Sequence, residues 1–164
     1  MICKNALYTK SKLREWGMIS DDSCVLCGLQ TETIDHLFFL CGFSNSLWGK
    51  ILQMVSIYKT VGSYDQEIFW FLNHLSAKNF KTSIVKMLFS ATGYHIWIER
   101  NNRVFIGKRQ SQGQILNSAL TEVSLASMVW RNVNRSYENW DLCLSLGLSE
   151  AVFHPSLPAG ARGG

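Results

Sequence analysis

The stretch Ser23-Cys24-Val25-Leu26-Cys27-Gly28, continued by His36 and by Cys41-Gly42, decides how the rest of the chain is read. Two residues separate Cys24 from Cys27, eight separate Cys27 from His36, and four separate His36 from Cys41. Thiolates and a neutral imidazole are the donors that a closed tetrahedral d10 ion takes, and this array supplies four of them. The short gap lets both knuckle sulfurs turn to one side of a tight loop. Gly28 follows directly, where a residue free to take positive φ lets backbone amides face the sulfurs. The pattern points to one structural Zn2+ held by Cys24, Cys27, His36 and Cys41. Two blander readings use the same residues. Reduced cysteines are often plain buried apolar side chains, and the chain's five cysteines could also supply two disulfides. A disulfide framework normally accompanies a secretory leader and a small, loop-rich chain, and neither is apparent here.

The second half of the array constrains local structure. His36 and Cys41 are five residues apart, so on a regular α-helix they point roughly 140° away from each other. If both bind one ion, a short helix from about Thr33 must unwind at Cys41-Gly42, with Gly42 as its terminating residue. Thr31 or Thr33 would cap it, with the charges of Glu32 and Asp35 at its positive end.

Of the 164 residues, 47% are hydrophobic and only 17% charged, which predicts a single compact domain held by apolar burial. Six tryptophans and nine phenylalanines exceed what a domain of this size readily hides, so part of the apolar surface is expected to meet a neighbour. The formal charge of +4 and a pI of 8.9 permit contact with nucleic acid without arguing for it. Cys3 and Cys143 remain outside the array and read as ordinary reduced thiols. Lys4, Lys10 and Lys12 leave no apolar leader, and the most apolar run, residues 84–98, is interrupted by Lys86 and His95. The expectation is a soluble intracellular protein, nuclear or cytoplasmic, with no membrane partner and no small-molecule substrate.

Helical periodicity fills the rest. Within residues 6–16, Thr9 or Ser11 caps a short helix that runs through Trp16 and that Gly17 stops. Ser44-Asn45-Ser46 starts a second, whose stripe of Leu47, Trp48, Ile51, Leu52 and Val55 brings Trp48 over the metal loop. Ser63-Tyr64-Asp65-Gln66 is a capping box, and Ile68-Phe69-Trp70-Phe71-Leu72 after it reads as a buried helix to about Leu75. Residues 79–105 carry the longest stripe, Phe80, Ile84, Leu88, Ala91, His95 and Ile98, with His95 as a hydrogen-bonded core histidine. A second capping box, Ser111-Gln112-Gly113-Gln114, opens a last long helix along Ile115, Ala119, Val123, Ala126, Trp130, Val133 and Tyr137. The predicted fold is mainly α: a small zinc knuckle module over residues 1–56, then a helical region over 63–148 packed with it and containing a long antiparallel helix pair. A tail over 149–164, with both prolines, is expected to be disordered.

Trp16-Gly17, the knuckle with Gly28, Glu32-Thr33, His36-Leu37-Phe38, Cys41 and Trp48 together resemble the zinc-binding domain that follows the reverse transcriptase of plant LINE-type (non-LTR) retrotransposons. Trp97-Ile98-Glu99-Arg100-Asn101 with Phe105 is similar to the downstream signature in the same context. The resemblance covers about residues 6–106 and starts late in the family's pattern, as if truncated on the N-terminal side. It implies a non-catalytic module that helps hold RNA or DNA next to a reverse transcriptase polypeptide. No Tyr-x-Asp-Asp polymerase motif is present, and no set of spaced acidic residues suits a nuclease. Two basic clusters are candidates for phosphate contact: Lys10, Lys12 and Arg14 before the knuckle, and Arg100, Arg103, Lys108 and Arg109 at the end of the long helix. The competing reading is a structural or protein-interaction module in which zinc substitutes for missing core.

Overall fold

In the computed structural model, residues 7–155 are described. Among them the chain is mainly helical, and its one β-type contact is an isolated bridge between Ser23 and Thr31 that pinches the knuckle loop. A short helix α1 (Lys10–Glu15) leads in, and a π-helical turn (His36–Leu40) follows the knuckle. Then come α2 (Gly42–Met54), α3 (Tyr64–His74), α4 (Phe80–Asn101), α5 (Gln112–Ser127) and α6 (Tyr137–Leu146). A second π-helical turn, Asn102–Ile106, prolongs α4 until Gly107, at φ 72°, ends it in the left-handed region.

The most extensive helix contact is α4 against α5. Ile84, Val85, Leu88 and Ile96 of α4 are buried, as are Ile115, Ala119 and Val123 of α5. Phe80, which opens α4, meets the ring of Trp130 beyond the end of α5. At the other end Glu99 accepts the backbone N–H of Gln110, just before α5 begins. Between them His95 Nε2 lies 3.0 Å from Glu122 Oε2. Burying each large stripe residue is worth about 1.5 to 3 kcal/mol, which accounts for the persistence of this pair. α2 crosses it with Leu47, Trp48, Ile51 and Leu52 buried, and Trp48 packs on Phe71 and Phe89. At 2% exposure Trp48 is a core residue, unavailable to stack on a base.

Three expectations from periodicity need correction. The helix predicted to run to Tyr137 stops at Ser127, and the chain turns through Asn132, at φ 55°, before Ser136 caps α6. The stripe continued on paper because Trp130 and Val133 still pack against the core after the turn. The run from Ile68 does form a helix, with both halves of its capping box made, but it is not a buried one. Phe69 and Leu72 are 71% and 72% exposed, because helices pack on one side of α3 only. Finally, the start of the expected disordered tail forms a 3-10 turn, Glu150–Phe153, with Val152 buried and bonded to the N–H of Val133. Cys143 is a buried free thiol, whereas Cys3 and residues 156–164 lie outside the described residues.

Candidate metal centre

The knuckle is a tight turn closed at its base. Cys24 N–H donates to Gln30 O at 2.7 Å, Gly28 N–H to Cys24 O at 2.7 Å, and Gly28 takes φ 72°. A Cβ at Gly28 would meet open space, so its need for glycine is conformational. Thr33 Oγ1 accepts the N–H of His36 at 3.1 Å and caps the short helical turn that follows.

What happens next resolves the angular conflict between His36 and Cys41. The turn His36–Leu40 is π-helical, and Cys41 N–H donates to His36 O at 2.6 Å. Closure from a residue to the fifth one after it brings those two residues around to the same side, which an α-turn cannot do. Gly42 therefore does not terminate a helix, as the sequence reading has it. It opens α2, two residues ahead of the polar triplet expected to start that helix, and Cys41 is the N-cap.

The result is convergence. One donor atom from each of Cys24, Cys27, His36 and Cys41 lies within 4.8 Å of all the others. Cys24 Sγ is 4.0 Å from Cys41 Sγ, and Cys27 Sγ is 3.2 Å from His36 Nε2. A tetrahedral ion with Zn–S of about 2.3 Å and Zn–N of about 2.0 Å requires S–S edges of about 3.8 Å and S–N edges of about 3.5 Å. The donor set and its spacing fit that ion.

Protonation of the metal-free donors is divided. The thiol of Cys41 is lowered, first because the thiol of Cys24 donates to it, against an opposing effect of burial. The first-turn amides of Phe43 and Ser44 also favour its thiolate, although neither makes a cap hydrogen bond. Cys24 is correspondingly raised, by that shared proton and then by burial. Burial lowers His36, against a smaller opposing effect of Glu32, and so favours the neutral imidazole that a metal requires. His36 Nδ1 is buried without a hydrogen-bond partner.

The basic residues proposed for phosphate contact divide. Arg100 Nη2 lies 2.8 Å from Glu32 Oε1, with both side chains buried, and its guanidinium sits over the ring of Trp97. Arg103 Nε lies 2.6 Å from Glu99 Oε1, also inside the protein, with its guanidinium over Phe43. These two arginines are internal and face the knuckle rather than solvent. Lys10 pairs with Asp21 and Arg14 with Asp22 at the surface, and the Lys10 bond holds the Asp21 carboxyl well below the usual range. Lys108 and Arg109 are exposed in the connection before α5. Sequence reading missed the acidic partners Glu32 and Glu99, both 0% exposed. A clue was present in Glu99-Arg100, two charges following the apolar stripe of α4 directly, which calls for internal pairing.

Residues 1–48 match the family model described as zinc-binding in reverse transcriptase. The matched segment contains all four converging residues. No curated protein and no solved structure matches the chain. Residues 1–48 thus carry both the match to a zinc-binding family and a Cys3His cluster that could hold a metal ion, and the two together support a zinc-binding module. No helix among the described residues is long and apolar enough to cross a membrane.

Proposed function

We propose that this chain is a non-catalytic module of a retrotransposon-derived protein of the plant LINE type. In this reading one structural Zn2+ sits on Cys24, Cys27, His36 and Cys41, and the module assists RNA or DNA binding beside a reverse transcriptase polypeptide. The carrying observation is the convergence of four soft donors inside a segment that matches zinc-binding in reverse transcriptase. When bound, the ion cross-links the knuckle, the π-turn and the start of α2. A closed four-donor shell leaves no position for an activated water, which supports a structural rather than a catalytic role.

With Arg100 and Arg103 engaged internally, phosphate contact falls to Lys10, Lys12, Arg14, Lys108 and Arg109. The Lys10–Asp21 and Arg14–Asp22 pairs lie at the surface, where an ion pair is worth about 0 to 1 kcal/mol, so phosphate can replace the carboxylates. The test is a titration of zinc-loaded protein with single-stranded RNA at several salt concentrations. About four phosphate contacts give a log-log slope near −3. Binding that is absent at low salt, or indifferent to salt, would contradict the nucleic-acid part.

One observation favours the second reading, a protein-interaction module. Phe69 and Leu72 are exposed on α3, beside an apolar groove of about 350 Å³ lined by Ile68, Phe71, Leu75 and Phe89. A chain that ignores RNA at every salt concentration but self-associates or captures an apolar helix through this face would support it.

A further inference from the structure

The peptide of Val25, inside the knuckle, is held from both sides by residues outside the turn. Its N–H donates to Glu32 Oε2 at 3.4 Å. Its carbonyl accepts from Arg103 Nη1 at 3.4 Å, and the same nitrogen donates to the carbonyl of Leu26 at 3.1 Å. Thus one guanidinium gathers two of the turn's carbonyls, while a carboxylate takes one of its amides.

Neither clamp is free to move. Glu99 Oε1 takes Arg103 Nε at 2.6 Å and the Gln110 N–H at 3.0 Å. Glu32 Oε1 takes Arg100 Nε at 3.0 Å and the Lys10 N–H at 3.0 Å, while Arg100 Nη2 also donates to Tyr8 O at 3.3 Å. Three of these four side chains come from α4 and the π-turn after it, wholly outside the segment that matches the zinc-binding family.

We propose that Arg103, oriented by Glu99, and Glu32, oriented by Arg100, are positioning residues of the metal centre. They hold the turn from Cys24 to Cys27 in the shape that presents both sulfurs to the ion. A pre-shaped loop loses less freedom on binding, so the metal is held more tightly. A guanidinium on the turn's carbonyls also polarises those peptides. The inference rests on the metal reading and extends the centre's support to the far end of α4.

The experiment measures Zn2+ affinity of the full chain by competition with a chromophoric chelator, alongside the visible spectrum of the Co2+ form. Arg103→Gln is expected to weaken affinity about 10- to 100-fold, the range usual for outer-shell partners of a metal site. Arg103→Lys keeps the charge but not the fork, and should recover part of the loss. Ile115→Val, in the buried stripe of α5, lowers stability away from the knuckle and should leave affinity unchanged. Should Arg103→Gln fail to fold, the isosteric Glu99→Gln carries the test, with a loss of the same sign. Affinity in the tested variant equal to that of the parent, while Cys27→Ser abolishes binding, overturns the positioning role and leaves the metal reading intact. Zn2+ bound by Cys27→Ser as tightly as by the parent overturns the metal reading itself.

Discussion

The two ends of α4 are held by different physics. Its first four turns lie against α5 through Ile84, Leu88, Ile115, Ala119 and Val123, apolar side chains whose burial needs no particular partner. Its last turn meets the knuckle through Glu32, Arg100, Glu99 and Arg103, buried charges that tolerate no missing member. Apolar stripes degrade gradually when a methylene is lost, whereas buried ion pairs and metal shells fail when one member is removed. The knuckle end should therefore be the brittle one.

The largest expected effect breaks the brittle end alone. Cys27→Ser removes one of four donors, and structural zinc contributes apparent binding energies of about 10 to 16 kcal/mol in isolated fingers. Amide exchange should accelerate from Trp16 to Trp48 while α4 and α5 remain protected; uniform loss of protection would erase the distinction between the two ends. Next, Arg100→Leu strands the Glu32 carboxylate inside the protein, at an expected cost of about 3 to 5 kcal/mol in urea denaturation. A change below 1 kcal/mol would mean that solvent reaches Glu32. At the apolar end, Leu88→Ala should cost about 2 to 5 kcal/mol yet leave one metal per folded chain. Metal loss in that variant would show that the two ends are coupled.

Acid and alkali should separate them further. His36 is lowered from its ordinary 6.5, so the unfolded chain takes up a proton that the folded chain resists. Stability of the metal-free protein is complete above about pH 6.5 and declines as pH falls from there toward the folded value. Cys143, on α6, is raised from 9.0, by burial and then by Glu150, so its contribution is complete below pH 9.0 and declines as pH rises beyond it. Cys143→Ala should reduce the alkaline limb of a thermal-stability profile, leaving the share that the raised Cys24 contributes, and leave the acid limb unchanged. The smallest effect lies outside both ends: replacing Lys108 and Arg109 with glutamine should reduce the RNA salt slope by about 1.4, at about 0.7 per contact. Because Arg100 and Arg103 are internal, they should not change that slope through direct phosphate contact.

What was legible in the sequence follows from the range of the interaction. The four metal donors could be read directly, since soft ligands at chelating spacing have few other uses. So could the capping boxes at Ser63 and Ser111, which are closed within four residues. The π-turn was visible only as a conflict, two ligands on opposite sides of an α-helix, and the geometry resolved it by widening the turn instead of ending it at Gly42. The burial of Arg100 was not legible, because Glu32 lies 68 residues away and a surface charge has the same local pattern. Nor was the break after Ser127: no glycine or proline marks it, and Asn132, a residue that tolerates positive φ, was the one local sign.

The central claim is that Cys24, Cys27, His36 and Cys41 form one closed metal shell. Native mass spectrometry of protein expressed with Zn2+, before and after a chelator, tests it most directly. The expected result is one zinc ion per chain, retained on desalting, removed only by a strong chelator and absent from His36→Ala. A chain that arrives metal-free, takes up several ions non-specifically, or retains its ion in His36→Ala would contradict it.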